Sequence, residues 1–131
     1  MLNAAIALDG MLFSGFGIAT LVAPIAVFGT IADLTGAEYG TLARALMSSL
    51  SIFYILIGLL CFVAVSSSLK SRRHFGLAMS IGHICTAWKG YSEIGQNWLI
   101  GDPWPDIVIH ISFVVAYLIL FYFTRTGRVS E

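Results

Sequence analysis

The stretch HFGLAMSIGHICTAWKGYSEIGQNWLIGDPWPD, which runs from His74 to Asp106, decides how this chain is interpreted. It is a long apolar segment that contains charged residues. As a membrane-spanning helix, it would bring His83, Lys89 and Glu93 into the bilayer. Because an unpaired charge in that environment costs several kcal/mol, these side chains need partners from the rest of the chain.

The composition of the remaining chain is that of a membrane protein. Its 131 residues are 58% hydrophobic and 11% charged, and the mean hydropathy is +0.89. Residues 10–32, 45–69 and 107–124 contain no Asp, Glu, Lys or Arg, and each run is close to the length of about 20 residues that spans a bilayer. The sequence therefore predicts a single domain over 1–131, an all-α bundle of four transmembrane helices at about 10–32, 44–69, 75–100 and 106–124.

The distribution of charge predicts the orientation. Five of the seven basic residues lie after the second helix or in the C-terminal tail: Lys70, Arg72, Arg73, Arg125 and Arg128. The positive-inside rule places these segments, and hence both termini, in the cytoplasm. The N-terminus lacks the basic region of a signal peptide, so we expect the first helix to be retained. We expect a multi-pass protein of the bacterial inner membrane.

Small residues mark faces on which helices can pack closely. Gly10, Ser14 and Gly17 share one face of the first predicted helix, and the second carries a stripe of Arg44, Ser48, Ser51, Ile55 and Gly58. In lipid, small side chains let neighbouring backbones approach. The partners predicted for the chain are therefore the bilayer and other membrane subunits or a second copy. A net charge of zero argues against nucleic acid.

A cluster of ionisable residues is predicted near the outer surface. Counted along the helices from the cytoplasmic side at about 1.5 Å per residue, Lys89 and His110 share a depth of about 21 Å and Glu93 and Asp106 one of about 27 Å. Arg44 begins the second helix at a similar level. The cluster has two interpretations: charged residues that tie helix ends together, or a pocket with two acids, two counter-charges and His110 as the titrating group.

His83 is a secondary candidate. At a predicted depth of about 12 Å it lies about 9 Å from His110 on the helical rise, so bis-histidine ligation of one haem is disfavoured and a hydrogen-bonded core histidine is expected. A single histidine could still hold haem or a chlorophyll-type pigment. No cofactor is predicted, and the spacing of the ligand-type residues predicts no metal site. No catalytic residue is assigned.

The pattern resembles the small four-helix membrane proteins of the DoxX-like group. The resemblance rests on Pro24 in the first helix, on RALMSSLSIFYILIG from Arg44 to Gly58, on the short basic loop, and on an acid that begins the fourth helix. It covers roughly residues 21–124. It implies a four-helix bundle, in a group that includes quinone-linked oxidoreductase subunits and many members of unknown function.

Three functions fit these observations. The preferred one is an accessory subunit, or a small-molecule or lipid-binding module, of a larger membrane complex, because catalytic motifs are absent from the sequence. The alternative is a membrane enzyme that acts on a quinone or lipid-like substrate through the acid/base cluster. A small dimeric transporter ranks last, because the first predicted helix contains no acid and the basic bias opposes a dual orientation.

Overall fold

A computed structural model describes residues 1–28, 41–95 and 101–126, without the side chains of residues 25, 28 and 41–46. The helices are α1 (Leu2–Val22), α2 (Pro24–Phe28), α3 (Thr41–Val65), α4 (Leu69–Ser92) and α5 (Trp104–Arg125). Within these described ranges no strand occurs. The predicted all-α fold is confirmed.

Three of the helical segments are long and apolar enough to cross a membrane: Leu2–Val22, Met47–Val65 and Trp104–Arg125. α4 is equally long but carries Lys70, Arg72, Arg73 and Lys89 along its length, which lowers its apolar character. The fourth predicted span and the orientation of the termini therefore stay predictions.

Local sequence explains where the helices begin and end. α1 ends at Val22, one residue before the break at Ala23, because Pro24 has no backbone N–H and its ring disfavours a helical residue before it. Ser68 caps α4 by accepting a hydrogen bond from the Ser71 backbone N–H at 3.3 Å. The carboxylate of Asp102 accepts one from the Trp104 backbone N–H at 3.0 Å, where α5 begins.

All four predicted helices begin earlier than the sequence predicted, and the shift is largest for α1 and α4. α1 starts at Leu2 rather than near Gly10, because the first residues place Leu2 and Ile6 in the hydrophobic core. α4 starts at Leu69 rather than near Phe75, since the basic segment that was predicted as a loop is helical. These shifts change which residues lie at the same level of the bundle.

α1 packs mainly against α3, through the predicted faces of small residues. A side chain in place of Gly17 would put its Cβ 2.7 Å from the backbone oxygen of Ser51, and Gly58 is in equally close contact with Ser14. The Ser51 hydroxyl donates to Thr20 Oγ1 at 2.8 Å. The predicted packing role of these faces is confirmed.

The second helix pair is α4 with α5. The two pairs meet in a core of buried apolar side chains that includes Leu2, Ile6, Cys61, Tyr117 and Leu120. We call the adjoining end of the bundle the basic end, because Arg72 donates there to the Asn3 side chain and Arg73 donates to the Thr124 carbonyl. The opposite end, where Asp106 lies in the first turn of α5, is the acidic end.

Candidate functional site

Asp9 is a buried acid in the middle of the bundle. Asp9 lies on α1, is 1% exposed, and faces α4 and α5. Oδ2 of its carboxylate lies 2.9 Å from Nε2 of His83 and accepts a hydrogen bond from the Tyr117 hydroxyl at 2.8 Å. Since a buried carboxylate is tolerated only when its oxygens are hydrogen-bonded, the two partners account for its position.

His83 connects Asp9 to α5. The residue is 3% exposed, and its ring is stacked on Phe113, with centroids 4.9 Å apart and an interplanar angle of 12°. Phe13 stacks on it at 5.8 Å. α4 can bring the ring this far inward because the buried residues along the same helix face include Gly76, Ser80 and Ala87. The aromatic neighbours fix the plane of the imidazole, so that both nitrogens point at partners.

The second nitrogen of His83 contacts another histidine. Nδ1 of His83 lies 2.6 Å from Nδ1 of His110, and Nε2 of His110 lies 3.5 Å from Oδ1 of Asp106, one helical turn earlier on α5. Side-chain exposure rises along this series, from 1% at Asp9 and 2% at His83 to 13% at His110 and 63% at Asp106. We call the four residues Asp9, His83, His110 and Asp106 the relay.

Two of the three contacts of the relay are hydrogen bonds, and each places one proton between its partners: His83 Nε2 with Asp9 Oδ2, and Nδ1 of His83 with Nδ1 of His110. Two neutral imidazoles carry one N–H each, so they can supply both protons while both carboxylates are ionised. The third contact, 3.5 Å between His110 Nε2 and Asp106 Oδ1, is electrostatic and lies at the limit of hydrogen-bond distance.

The relay ends inside the protein. Among the described residues, the hydrogen-bond partners of the Asp9 side chain are His83 and Tyr117. Toward the basic end, Ile6 and Cys61 are both 0% exposed and belong to the hydrophobic core. The relay therefore connects Asp9 to the acidic end, whereas the apolar core separates Asp9 from the basic end.

The predicted outer cluster is only partly brought together. Asp106 and His110 are neighbours on α5. Lys89, whose side chain is 68% exposed, pairs instead with Glu93 at the end of its own helix. The side chain of Arg44 lies outside the described residues. Lys89 and Glu93 pair with each other and not with residues of α5. The reason is that two oppositely charged side chains four residues apart on one helix are already within reach of each other.

The predicted separation of the two histidines is wrong. His83 and His110 were placed about 9 Å apart in depth, and they are in contact. α4 begins at Leu69 instead of Phe75, and this shift amounts to about 9 Å on the helical rise. The error in the helix start thus accounts for the whole discrepancy, and His83 moves from a secondary candidate to the centre of the site.

Asp9 was missed for a similar reason. A first helix that begins at Gly10 excludes Asp9, so the predicted helix contains no acid, which is one of the two reasons that the sequence ranks the transporter last. In the structure Asp9 is within α1 and buried. The available signal was the run NAAIALDGMLF, residues 3–13, in which a single acid is flanked by apolar residues on both sides.

The geometry also bears on the cofactor alternatives. The ring centroids of His83 and His110 are 4.9 Å apart, which leaves no space for a haem between them. Both nitrogens of His83 are already in contact with partners, so its ligation of haem or a chlorophyll-type pigment would break the relay. Within the part of the chain that is described, no group of three His, Cys, Asp or Glu side chains could hold a metal ion.

Comparisons with known proteins found no match to this chain, whether among protein-family models, curated proteins or solved structures.

Proposed function

We propose that this chain is a small multi-pass membrane protein that transfers protons between its acidic end and the buried Asp9, as an accessory module of a larger membrane assembly. The observation that carries the proposal is the 2.6 Å contact between Nδ1 of His83 and Nδ1 of His110. It joins two carboxylates that differ greatly in exposure, Asp9 and Asp106.

The chemistry of the two rings supports this role. An imidazole can accept a proton on one nitrogen and release one from the other, and its unperturbed protonation occurs near neutral pH. In the relay each ring has one nitrogen toward the exposed acid and the other toward the buried acid. Ionisable residues within membrane segments typically mark proton or ion pathways.

Because the relay stops at the buried Asp9, it is better suited to hold one proton than to conduct protons across the bundle. Because Ile6 and the buried core lie beyond Asp9, a proton that enters from the acidic end leaves by the same route or passes to a bound partner. By the positive-inside rule the acidic end faces the outside of a bacterial inner membrane. A further subunit, a second copy or a bound small molecule or lipid would exchange protons there. The DoxX-like resemblance is compatible with such a subunit.

The test is a pH-jump infrared measurement on the full chain in lipid nanodiscs. The bands of Asp9 and His83 are assigned from Asp9→Asn and from isotope-labelled histidine. In His110→Phe the relay is interrupted, and we expect protonation at Asp9 and His83 to slow by about a hundredfold. Lys89→Gln is the control, because Lys89 pairs with Glu93 outside the relay. Equal rates in wild type and His110→Phe would contradict the proposal.

The accessory role has its own test. Purification in mild detergent is expected to yield the chain together with a protein partner, a second copy or a bound lipid. Recovery of a lone monomer, free of lipid, would contradict that part of the proposal without affecting the infrared result.

A second candidate is a membrane enzyme that acts on a quinone or lipid-like substrate. The observation that favours it is the pair of Asp106 and His110, an acid and a base one turn apart on α5, with Asp106 exposed. Asp106→Asn should then abolish turnover in a defined assay, while Glu93→Gln should retain it. Full activity of Asp106→Asn would exclude this enzyme mechanism.

A further inference from the structure

Three cations from two helices come together at the basic end. Arg73, near the start of α4, donates a hydrogen bond to the backbone carbonyl of Thr124, near the end of α5. Lys70 lies one turn before Arg73 on the same face of α4, and Arg125 follows Thr124 directly. The contact between the two helices therefore brings Lys70, Arg73 and Arg125 to the same edge of the basic end. We call these three residues the cation triad.

The cation triad has no acidic neighbour among the residues that the structure describes. Lys70 and Arg125 are exposed and Arg73 is half-buried, and the first turn of α4 contains no acid. The positive end of the α4 helix dipole adds to the charge of Lys70 and Arg73. The four described acids lie in the relay or toward the acidic end: Asp9, Glu93, Asp102 and Asp106. Since like charges repel, the triad favours a bound anion.

Arg73 is suited to hold a phosphate group. A guanidinium has five N–H donors, and the contact with Thr124 uses Nη2. That contact also orients the side chain, so less conformational freedom is lost when Arg73 binds an anion. Arg72 is directed elsewhere, because it donates to the side chain of Asn3 on α1.

Aromatic residues next to the triad indicate where the anion comes from. Tyr122 is 55% exposed and lies one turn before Arg125 on α5, and its ring meets that of Phe123 edge to face, with centroids 5.7 Å apart. Exposed aromatic residues at the end of an apolar helix are typical of the level of the lipid headgroups. At this level the phosphates of phospholipids are the most abundant anions.

We propose that the cation triad binds the phosphate group of an anionic phospholipid, and that this lipid bridges the start of α4 and the end of α5. Basic sites between membrane helices recognise anionic headgroups in this way. A zwitterionic headgroup is disfavoured, because the triad repels its ammonium group. The site lies at the opposite end of the bundle from Asp106, and the inference goes beyond the proposed function.

The experiment measures lipid occupancy by native mass spectrometry. The full chain is released from micelles that contain equal amounts of phosphatidylglycerol and phosphatidylcholine with identical acyl chains. We expect wild type to retain phosphatidylglycerol in about tenfold preference. Lys70→Gln and Arg125→Gln should each lower this preference about fivefold, and Arg73→Lys, which keeps the charge but loses the planar fork, should lower it less than Arg73→Gln.

Lys89→Gln is the matched control, because it removes one positive charge from the opposite end of the same helix, and it should retain the wild-type preference. Helix content and elution volume confirm that each variant folds. Equal retention of the two lipids by wild type would overturn the proposal, as would wild-type preference in both Lys70→Gln and Arg125→Gln. An equal loss in Lys89→Gln would assign the effect to net charge and contradict the site.

A competition distinguishes a lipid from a free anion. Excess inorganic phosphate should leave the bound phosphatidylglycerol in place, because the acyl chains hold the lipid at the edge of the bundle. Displacement by inorganic phosphate as readily as by added phosphatidylglycerol would show a site for free phosphate and overturn the lipid assignment.

Discussion

α1 makes two contacts of opposite character. Toward α3 it presents small side chains, so that the backbones touch, as at Gly17 and Ser51. Toward α4 and α5 its contacts include the two hydrogen bonds to the Asp9 carboxylate. In lipid there is no hydrophobic force that drives helices together, and close packing and hydrogen bonds take its place. Close packing holds α1 against α3, and hydrogen bonds help to hold α1 against α4 and α5.

The two interfaces are also held together by different means. Close backbone approach at Gly10, Gly17 and Gly58 holds α1 against α3. The junction between the two helix pairs depends on apolar packing at the basic end and on a hydrogen-bonded carboxylate above it. Of the two interfaces, the junction is the one that depends on a buried, hydrogen-bonded carboxylate.

The largest effect is expected at Asp9. Asp9→Leu removes the acceptor that Nε2 of His83 and the Tyr117 hydroxyl share, and the loss of this buried acceptor should reduce the free energy of unfolding by about 3 kcal/mol. Asp9→Asn keeps an oxygen acceptor and should cost about 1 kcal/mol. Unfolding in mixed detergent micelles measures both. If Asp9→Leu were as stable as wild type, the junction would not depend on this carboxylate.

A smaller effect is expected from overfilling the α1–α3 interface. Gly17→Ala places a methyl group against the Ser51 backbone, and we expect a loss of about 2 kcal/mol. Gly82 is the matched control, a helical glycine with nothing within 4 Å of an added Cβ. Gly82→Ala should be neutral or stabilise by up to about 1 kcal/mol. Similar values for the two variants would show that the backbones are not in close contact.

The smallest effect is expected at Lys89, which lies outside both interfaces. Its pair with Glu93 is exposed and formed within one helix, and such pairs contribute below about 0.5 kcal/mol. Lys89→Gln should therefore unfold like wild type in the same micelles. A loss as large as that of Gly17→Ala would indicate that Lys89 ties the helix pairs together, as the outer-cluster interpretation of the sequence had it.

The sequence predicted the α1–α3 interface better than the junction. The all-α fold, the break at Pro24 and the packing faces of Gly10 and Gly58 follow from local signals, namely apolar length, a missing N–H and the spacing of small residues. The relay depends on register between helices far apart in the chain. Each residue of error in a helix start moves a side chain by about 1.5 Å, and the start of α4 lies in a basic segment typical of a loop.

The role of Asp9 could not be predicted from the sequence either. A lone acid near the end of an apolar run is equally compatible with a helix boundary and with a buried partner, and only its contacts with His83 and Tyr117 distinguish the two. Those partners lie on helices that come much later in the chain. Nothing in the spacing of residues along α1 identifies them.

The contact between the two imidazoles is the central claim, and nitrogen NMR tests it most directly. In the full chain with ¹⁵N-labelled histidine, a hydrogen bond between Nδ1 of His83 and Nδ1 of His110 should give a scalar coupling between these two nitrogens. The coupling should vanish in His110→Phe and persist in Lys89→Gln. Two histidines with independent nitrogen signals and no coupling, in a protein that retains its helix content, would contradict the relay.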